Sequence, residues 1–135
     1  MKYLELKNIS KSYEGRSVLR NFNLSITKGE FLVLLGPSGC GKSTILNIIA
    51  GLLPFENGRI IKNDVEITNL EPKDRNIGMV FQDHSLYPHM KVKANLLFPL
   101  KIRKLSKTEI DKRFREILKT YNLEEHLDKY PSQFL

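Results

Sequence analysis

The chain has no apolar run long enough to cross a membrane as a helix, and its first residues alternate polar and apolar instead of forming a secretory leader. It carries a single cysteine, Cys40, so no disulfide can form within it, which agrees with a reducing compartment. No zinc-ligand spacing, aromatic-basic box, recognition-helix pattern, internal repeat or low-complexity tract is present, so nucleic acid is not an expected partner. Acidic residues are the scarcer charge. With 22 Lys and Arg against 15 Asp and Glu the formal net charge is +7, which suits a polyanionic partner such as a nucleotide or the anionic inner face of a membrane. At 135 residues the expectation is one globular α/β domain in the cytoplasm.

Much of the positive excess lies in Lys101, Arg103, Lys104, Lys107, Lys112, Arg113, Arg115 and Lys119, in a region of helical pattern. A solvated helix face and a surface facing lipid headgroups or a partner both fit that distribution.

Residues 3–12 and 17–27 alternate as half-buried strands around a turn at Glu14-Gly15-Arg16, and Lys28-Gly29-Glu30 forms a second turn. Phe31-Leu32-Val33-Leu34-Leu35 then reads as a fully buried strand. Residues 43–50, with Ile45, Leu46, Ile48 and Ile49 apolar, read as a helix stopped by Gly51. Arg59-Ile60-Ile61 and Val65-Glu66-Ile67 flank Lys62-Asn63-Asp64 as a short hairpin. Ile77-Gly78-Met79-Val80-Phe81 is a second buried strand, ending at Gln82, where strands of open α/β sheets meet ligands. From Ala94 the pattern is helical, interrupted by Pro99. Ser106-Lys107-Thr108-Glu109 predicts a capping box ahead of a helix that Asn122 stops, and 123–129 a further short helix.

Between the first apolar run and the first helix stand Gly36-Pro37-Ser38-Gly39-Cys40-Gly41-Lys42-Ser43, which fill the pattern G-x-x-x-x-G-K-[ST]. The glycines let backbone N–H groups turn inward on phosphate oxygens at the positive end of a helix. Lys42 supplies a point charge for the β- and γ-phosphates. The Ser43 hydroxyl can join the shell of Mg²⁺, and Thr44 can add a phosphate contact. Strand, glycine loop and helix in this order mark a nucleotide binder.

Taken together, the residues resemble the nucleotide-binding domain of ATP-binding cassette transporters over the whole chain. Lys11-Ser12-Tyr13 is similar to the family's aromatic loop, in which a ring stacks on adenine, with Val18 beside the base. Gln82 after Val80-Phe81 is similar to the glutamine that senses the γ-phosphate and Mg²⁺. The resemblance implies an ABC-type P-loop NTPase core with an amino-terminal antiparallel β subdomain. In it, residues 1–92 would form the β subdomain plus core and 93–135 the start of a helical subdomain, the carboxy-terminal half being missing. ATP and Mg²⁺ are the implied ligands, bound by Tyr13, Val18, Gly36, Pro37, Ser38, Gly39, Cys40, Gly41, Lys42, Ser43, Thr44 and Gln82. Lys42 and Gln82 would act in catalysis, and Ser43 and Gln82 on the metal. The run 72–82 followed by Leu86-Tyr87-Pro88-His89-Met90 is similar to ATPase subunits of bacterial sugar and polyamine importers. In those, Asp83 to Met90 would dock on a membrane permease, and a second ATPase subunit would pack head to tail, at the cytoplasmic face of the membrane. His84 and His89 then read as packing or docking residues, and His126 as a surface helix residue.

The family pattern continues into a signature loop, a strand ending in Asp and Glu, and a switch histidine, whereas the chain closes on Tyr130-Pro131-Ser132-Gln133-Phe134-Leu135 with none of them. Without a carboxylate to orient water, a general-base factor of about 10²- to 10⁴-fold is lost, so negligible turnover is expected from these residues alone. Buried strand edges without partners predict oligomerisation or low stability. A phosphate enzyme of another kind, closing Arg103, Arg113 and Arg115 over the nucleotide as a lid, is the remaining reading. Cys40, at a helix amino terminus beside Lys42, is expected to react readily with alkylating agents unless nucleotide covers it.

Overall fold

The computed structural model describes residues 2–82 and 85–133, which form two units, Met1–Met79 and Val80–Leu135. In the first, strands β1 (Lys2–Tyr13) and β2 (Arg16–Thr27) pair antiparallel across the two-residue loop Glu14-Gly15. Both loop residues have positive φ, 48° and 80°, the backbone whose twist matches the flanking strands. The same device joins β3 (Asn57–Lys62) to β4 (Val65–Glu66), with Asn63 at 48° and Asp64 at 62°. β3 pairs antiparallel with the free edge of β1, giving a sheet in the order β2-β1-β3-β4 among the described residues.

One face of this sheet meets helix α1 (Lys42–Ala50). Leu4 and Leu6 alternate onto that face, and strict alternation would then place Asn8 there. A register shift between Leu6 and Ile9, with Asn8 at φ 54°, turns Ile9 inward instead. Gly58 of β3 crosses the bulge so closely that a Cβ there would stand 2.6 Å from the Lys7 carbonyl oxygen. Leu4, Leu6, Ile9, Leu19, Ile60 and Ile67 pack with Ile45, Ile48 and Ile49 of α1. At about 2 kcal/mol per fully buried aliphatic side chain, this cluster is the principal source of stability in the unit. Leu46, the fourth apolar residue of the α1 run, is half exposed.

α1 ends at Gly51 in the left-handed conformation, φ 79°, where Leu52 N–H returns to the Asn47 carbonyl. Its last carbonyls also receive a buried cation. Arg75 Nη1 donates to the Ile48 and Ile49 oxygens at 2.8 and 3.1 Å, Nη2 to Thr68 O at 2.8 Å and Nε to Leu70 O at 2.9 Å. Burial pushes the guanidinium pKa down, while these carbonyls and the negative end of the helix hold its charge.

The two expected buried strands differ from expectation. Residues 31–35 form no strand and alternate between exposed and half-buried, with Phe31 91% and Leu35 88% exposed. Residues 77–81 likewise form no strand, and Val80 is 98% exposed. A strand exists only through a neighbour's backbone, and among the described residues neither segment has one. Leu34 and Ile77 alone reach the core, packing against its edge.

In the second unit, α2 (Val92–Ile102) starts two residues before Ala94 and carries Pro99 within it. Helix α3 (Lys107–Tyr121) begins at Ser106, whose Oγ accepts from Glu109 N–H at 3.2 Å. The capping box is half formed, because the Glu109 carboxylate turns to Arg113 Nε at 2.8 Å and is held below the usual carboxylate range by that bond. Asn122 ends α3 at φ 52°, as predicted, and 124–126 form a 3₁₀ turn where a short helix was expected. His126 lies in that turn and is half-buried, not a surface helix residue. The basic side chains from Lys101 to Lys119 are exposed, as a solvated face requires. No described helix is long and apolar enough to cross a membrane.

Candidate nucleotide site

Gly36 to Gly41 lie between the unpaired 31–35 segment and α1, whose first two residues are Lys42 and Ser43. Gly39 and Gly41 have φ of 79° and 100°, backbone that a side chain resists. Gly41 is buried, and a Cβ on it would come within 3.1 Å of Val18 Cγ1 and 3.3 Å of Leu19 Cδ2. The loop thus lies directly on the β1–β2 hairpin, and only glycine permits the approach.

Lys42 closes the loop. Its Nζ donates to the Gly36 and Pro37 carbonyls, both at 2.7 Å, and stands 3.6 Å from Cys40 Sγ. An ammonium has three donors, so the weakest contact, to the thiol, is the one an arriving phosphate oxygen displaces at least cost.

Tyr13, Val18, Ser38, Gly39, Gly41, Lys42, Ser43 and Thr44 line one open cavity of about 550 Å³. A ring at the tip of the hairpin, an aliphatic side chain and the amino end of α1 are therefore brought together from three places in the sequence. The cavity has the size of a small-molecule site, an apolar platform at one side, and a cation with helix N–H groups at the other. Such a cradle suits a nucleotide triphosphate. Ser43 is exposed at its rim, where an oxygen ligand for Mg²⁺ is required, and no group of His, Cys, Asp and Glu among the described residues could hold a metal without the nucleotide. Pro37 and Cys40 are exposed members of the loop itself.

Gln82 belongs to the second unit and is exposed. Asp83 and His84 lie outside the described residues. Beyond them, Asn95 of α2 organises the loop 87–91: its Oδ1 accepts from Tyr87 N–H at 2.8 Å, and its Nδ2 donates to the Tyr87, Met90 and Lys91 carbonyls at 3.1, 2.9 and 3.2 Å. Tyr87 stands edge-on to both Phe98 and His89, and His89 itself is exposed. Arg113 pairs with Glu109, and Arg115 Nε bonds the Asp111 carbonyl within α3. Asn95, Arg75 and Glu56 were not singled out by sequence reasoning.

Fold and loop define a P-loop nucleotide-binding core. The chain belongs to the ABC transporter family, whose model, described as "ABC transporter", matches residues 19–134. It is 45% identical over 130 residues to a spermidine/putrescine import ATP-binding protein PotA of Thermotoga maritima, covering 96% of this chain and 35% of that one. To the protein of the same description from Clostridioides difficile it is 51% identical over 121 residues, covering 90% and 35%. An sn-glycerol-3-phosphate import ATP-binding protein UgpC of Bartonella bacilliformis is 47% identical over 134 residues, covering 98% and 39%. Among solved structures, the dimeric post-hydrolysis state of the ATP-binding cassette MJ0796 bound to ADP and Pi superposes with a TM-score of 0.80 at 34% identity, covering 96% of this chain and 62% of that one. The chain therefore spans little more than a third of the length of these curated relatives.

Proposed function

We propose that this chain is the amino-terminal part of the ATP-binding subunit of an ABC importer that energises solute uptake at the cytoplasmic face of the membrane. The observation that carries the reading is the shared cavity of Tyr13, Val18 and the 38–44 loop. Tyr13 stacks on the adenine with Val18 beside it. Gly36 to Thr44 hold the phosphates, with Lys42 neutralising the β- and γ-oxygens. Ser43, with Gln82, supplies oxygen ligands to Mg²⁺, which when bound neutralises charge on the phosphates. Residues 1–92 form the β subdomain and core, and 93–135 open the helical subdomain. The loop around Asp83 to Met90 docks on the permease, and a second ATPase subunit packs head to tail in the assembled transporter.

The 135 residues contain no Ser-Gly-Gly and no apolar run ending in Asp-Glu. By themselves they bind nucleotide without steady turnover, since no carboxylate is in place to orient water. Calorimetric titration with Mg-ATP beside a phosphate-release assay tests this. Saturable binding abolished by Lys42→Ala, with no phosphate release, is the expected result. Turnover that disappears with Lys42→Ala would overturn the claim of incompetence, and binding that survives Lys42→Ala would overturn the site.

A further inference from the structure

Tyr13 is the last residue of β1, paired with Arg16 of β2 beside the Glu14-Gly15 turn and without a partner on the β3 side. The β1–β3 ladder finishes at Ser10 and Asn57, and the β1–β2 ladder is irregular from Ile9 to Ser12. A ring on such a strand end would be loosely held, and fixing it on binding would cost affinity. Glu56, in the connection between α1 and β3, takes over where the ladder stops. Its N–H donates to the Ser10 carbonyl at 3.0 Å, its Oε2 accepts from Ser12 N–H at 2.8 Å, and its Oε1 receives Lys11 Nζ at 3.2 Å.

Lys11 and Tyr13 are two residues apart on one strand and share a face. The Lys11 side chain is only 13% exposed, an arrangement an ammonium tolerates when a carboxylate and a π-face receive it. Its Nζ lies 5.2 Å from the centroid of the Tyr13 ring, while that ring remains 44% exposed and lines the nucleotide cavity. Backbone, carboxylate, ammonium and ring thus form one chain of contacts ending at the cavity wall.

We propose that Glu56 and Lys11 are positioning residues for Tyr13: they fix the strand end and the ring, and present a cation-polarised aromatic surface to a purine base. The inference rests on the reading of Tyr13 as the adenine platform. Glu56→Gln keeps an acceptor for Ser12 N–H and removes the charge that holds Lys11. Lys11→Met keeps side-chain length and removes the cation.

The test is calorimetry on the whole chain with two probes, ATP and inorganic triphosphate, which has no base. Glu56→Gln and Lys11→Met are expected to weaken ATP about three- to tenfold, as loss of a cation–π contact and of preorganisation would. Triphosphate should bind both variants no more weakly than the parent, Lys11→Arg should restore ATP affinity, and Glu56→Gln should have no effect on ATP once Tyr13 is Ala. Equal weakening of both probes would overturn the proposal in favour of a purely structural ion pair. Unchanged ATP affinity in both variants, with Tyr13→Ala still weakening ATP, would overturn it while leaving the stacking reading in place. Tyr13→Ala without effect on ATP would remove that reading and this inference together. Thermal melting of each variant shows that it is folded, and Lys11→Met carries the test if Glu56→Gln is not.

Discussion

Gly51 and Arg75 fit so closely that a Cβ on Gly51 would stand 2.6 Å from Arg75 Nε. Gly51→Ala must tolerate a left-handed backbone and also displace a guanidinium bound to four carbonyls. A loss of about 2–3 kcal/mol is expected in urea denaturation. Arg75→Met, which leaves those carbonyls without their donor, should cost about 3 kcal/mol. A change under about 1 kcal/mol in both would contradict the assigned contacts.

Within the phosphate loop, a Cβ on Gly36 would meet Cys40 Sγ at 2.6 Å, and Cys40 Cβ only at 3.8 Å. Gly36→Ala is therefore expected to weaken ATP by about tenfold, through a shifted loop. The double change Gly36→Ala, Cys40→Ala removes the obstructing sulfur and should recover most of the affinity. Failure of the second substitution to rescue the first would show that the glycine is required for another reason.

Cys40 is exposed and sits beside the Lys42 ammonium. Saturating Mg-ATP is expected to slow its alkylation by iodoacetamide at least fivefold, because phosphates would occupy the ground the thiol now faces. Mass spectrometry of the labelled chain over time gives the two rates. Identical rates would mean that nucleotide does not enter the cradle.

Glu30 clamps the turn ahead of the loop, its Oε2 accepting from Thr27 N–H at 2.7 Å and from Thr27 Oγ1 at 2.8 Å. Those bonds hold its carboxyl below the ordinary glutamate value. The contribution to stability is thus full above the unfolded-state pKa, about 4.3, and is lost as pH falls through the lower folded value. Melting temperatures of the parent and Glu30→Gln should differ at pH 7 and converge near pH 3. A constant gap across that range would sink the assignment.

Phe31, Leu35 and Val80 present apolar surface on segments whose backbones have no ladder partner among the described residues. Such edges recruit other chains. Sedimentation velocity should show concentration-dependent association, reduced by Phe31→Lys combined with Val80→Lys. A chain that stays monomeric at high micromolar concentration would contradict the expectation.

The hairpin turns, α1, the Ser106 cap and the Asn122 stop were legible because each depends on residues within about four positions of one another. The 31–35 and 77–81 runs have strand composition, yet a strand is a relation to a neighbour and composition does not contain the neighbour. For the site, the glycine loop was readable from spacing, and Tyr13 and Val18 from resemblance. Glu56 was not, because nothing local distinguishes a glutamate that ends a ladder from one in solvent. Arg75 was missed likewise, since its partners are carbonyls and leave no trace in side-chain chemistry.

The two unpaired apolar segments have a meaning beyond assembly in a test tube. Apolar at Phe31, Leu35 and Val80 and without ladder partners among the described residues, they are surfaces of the kind that chaperones hold and proteases cut. A polypeptide that supplied backbone partners to residues 31–35 and 77–81 would bury both runs and remove that exposure.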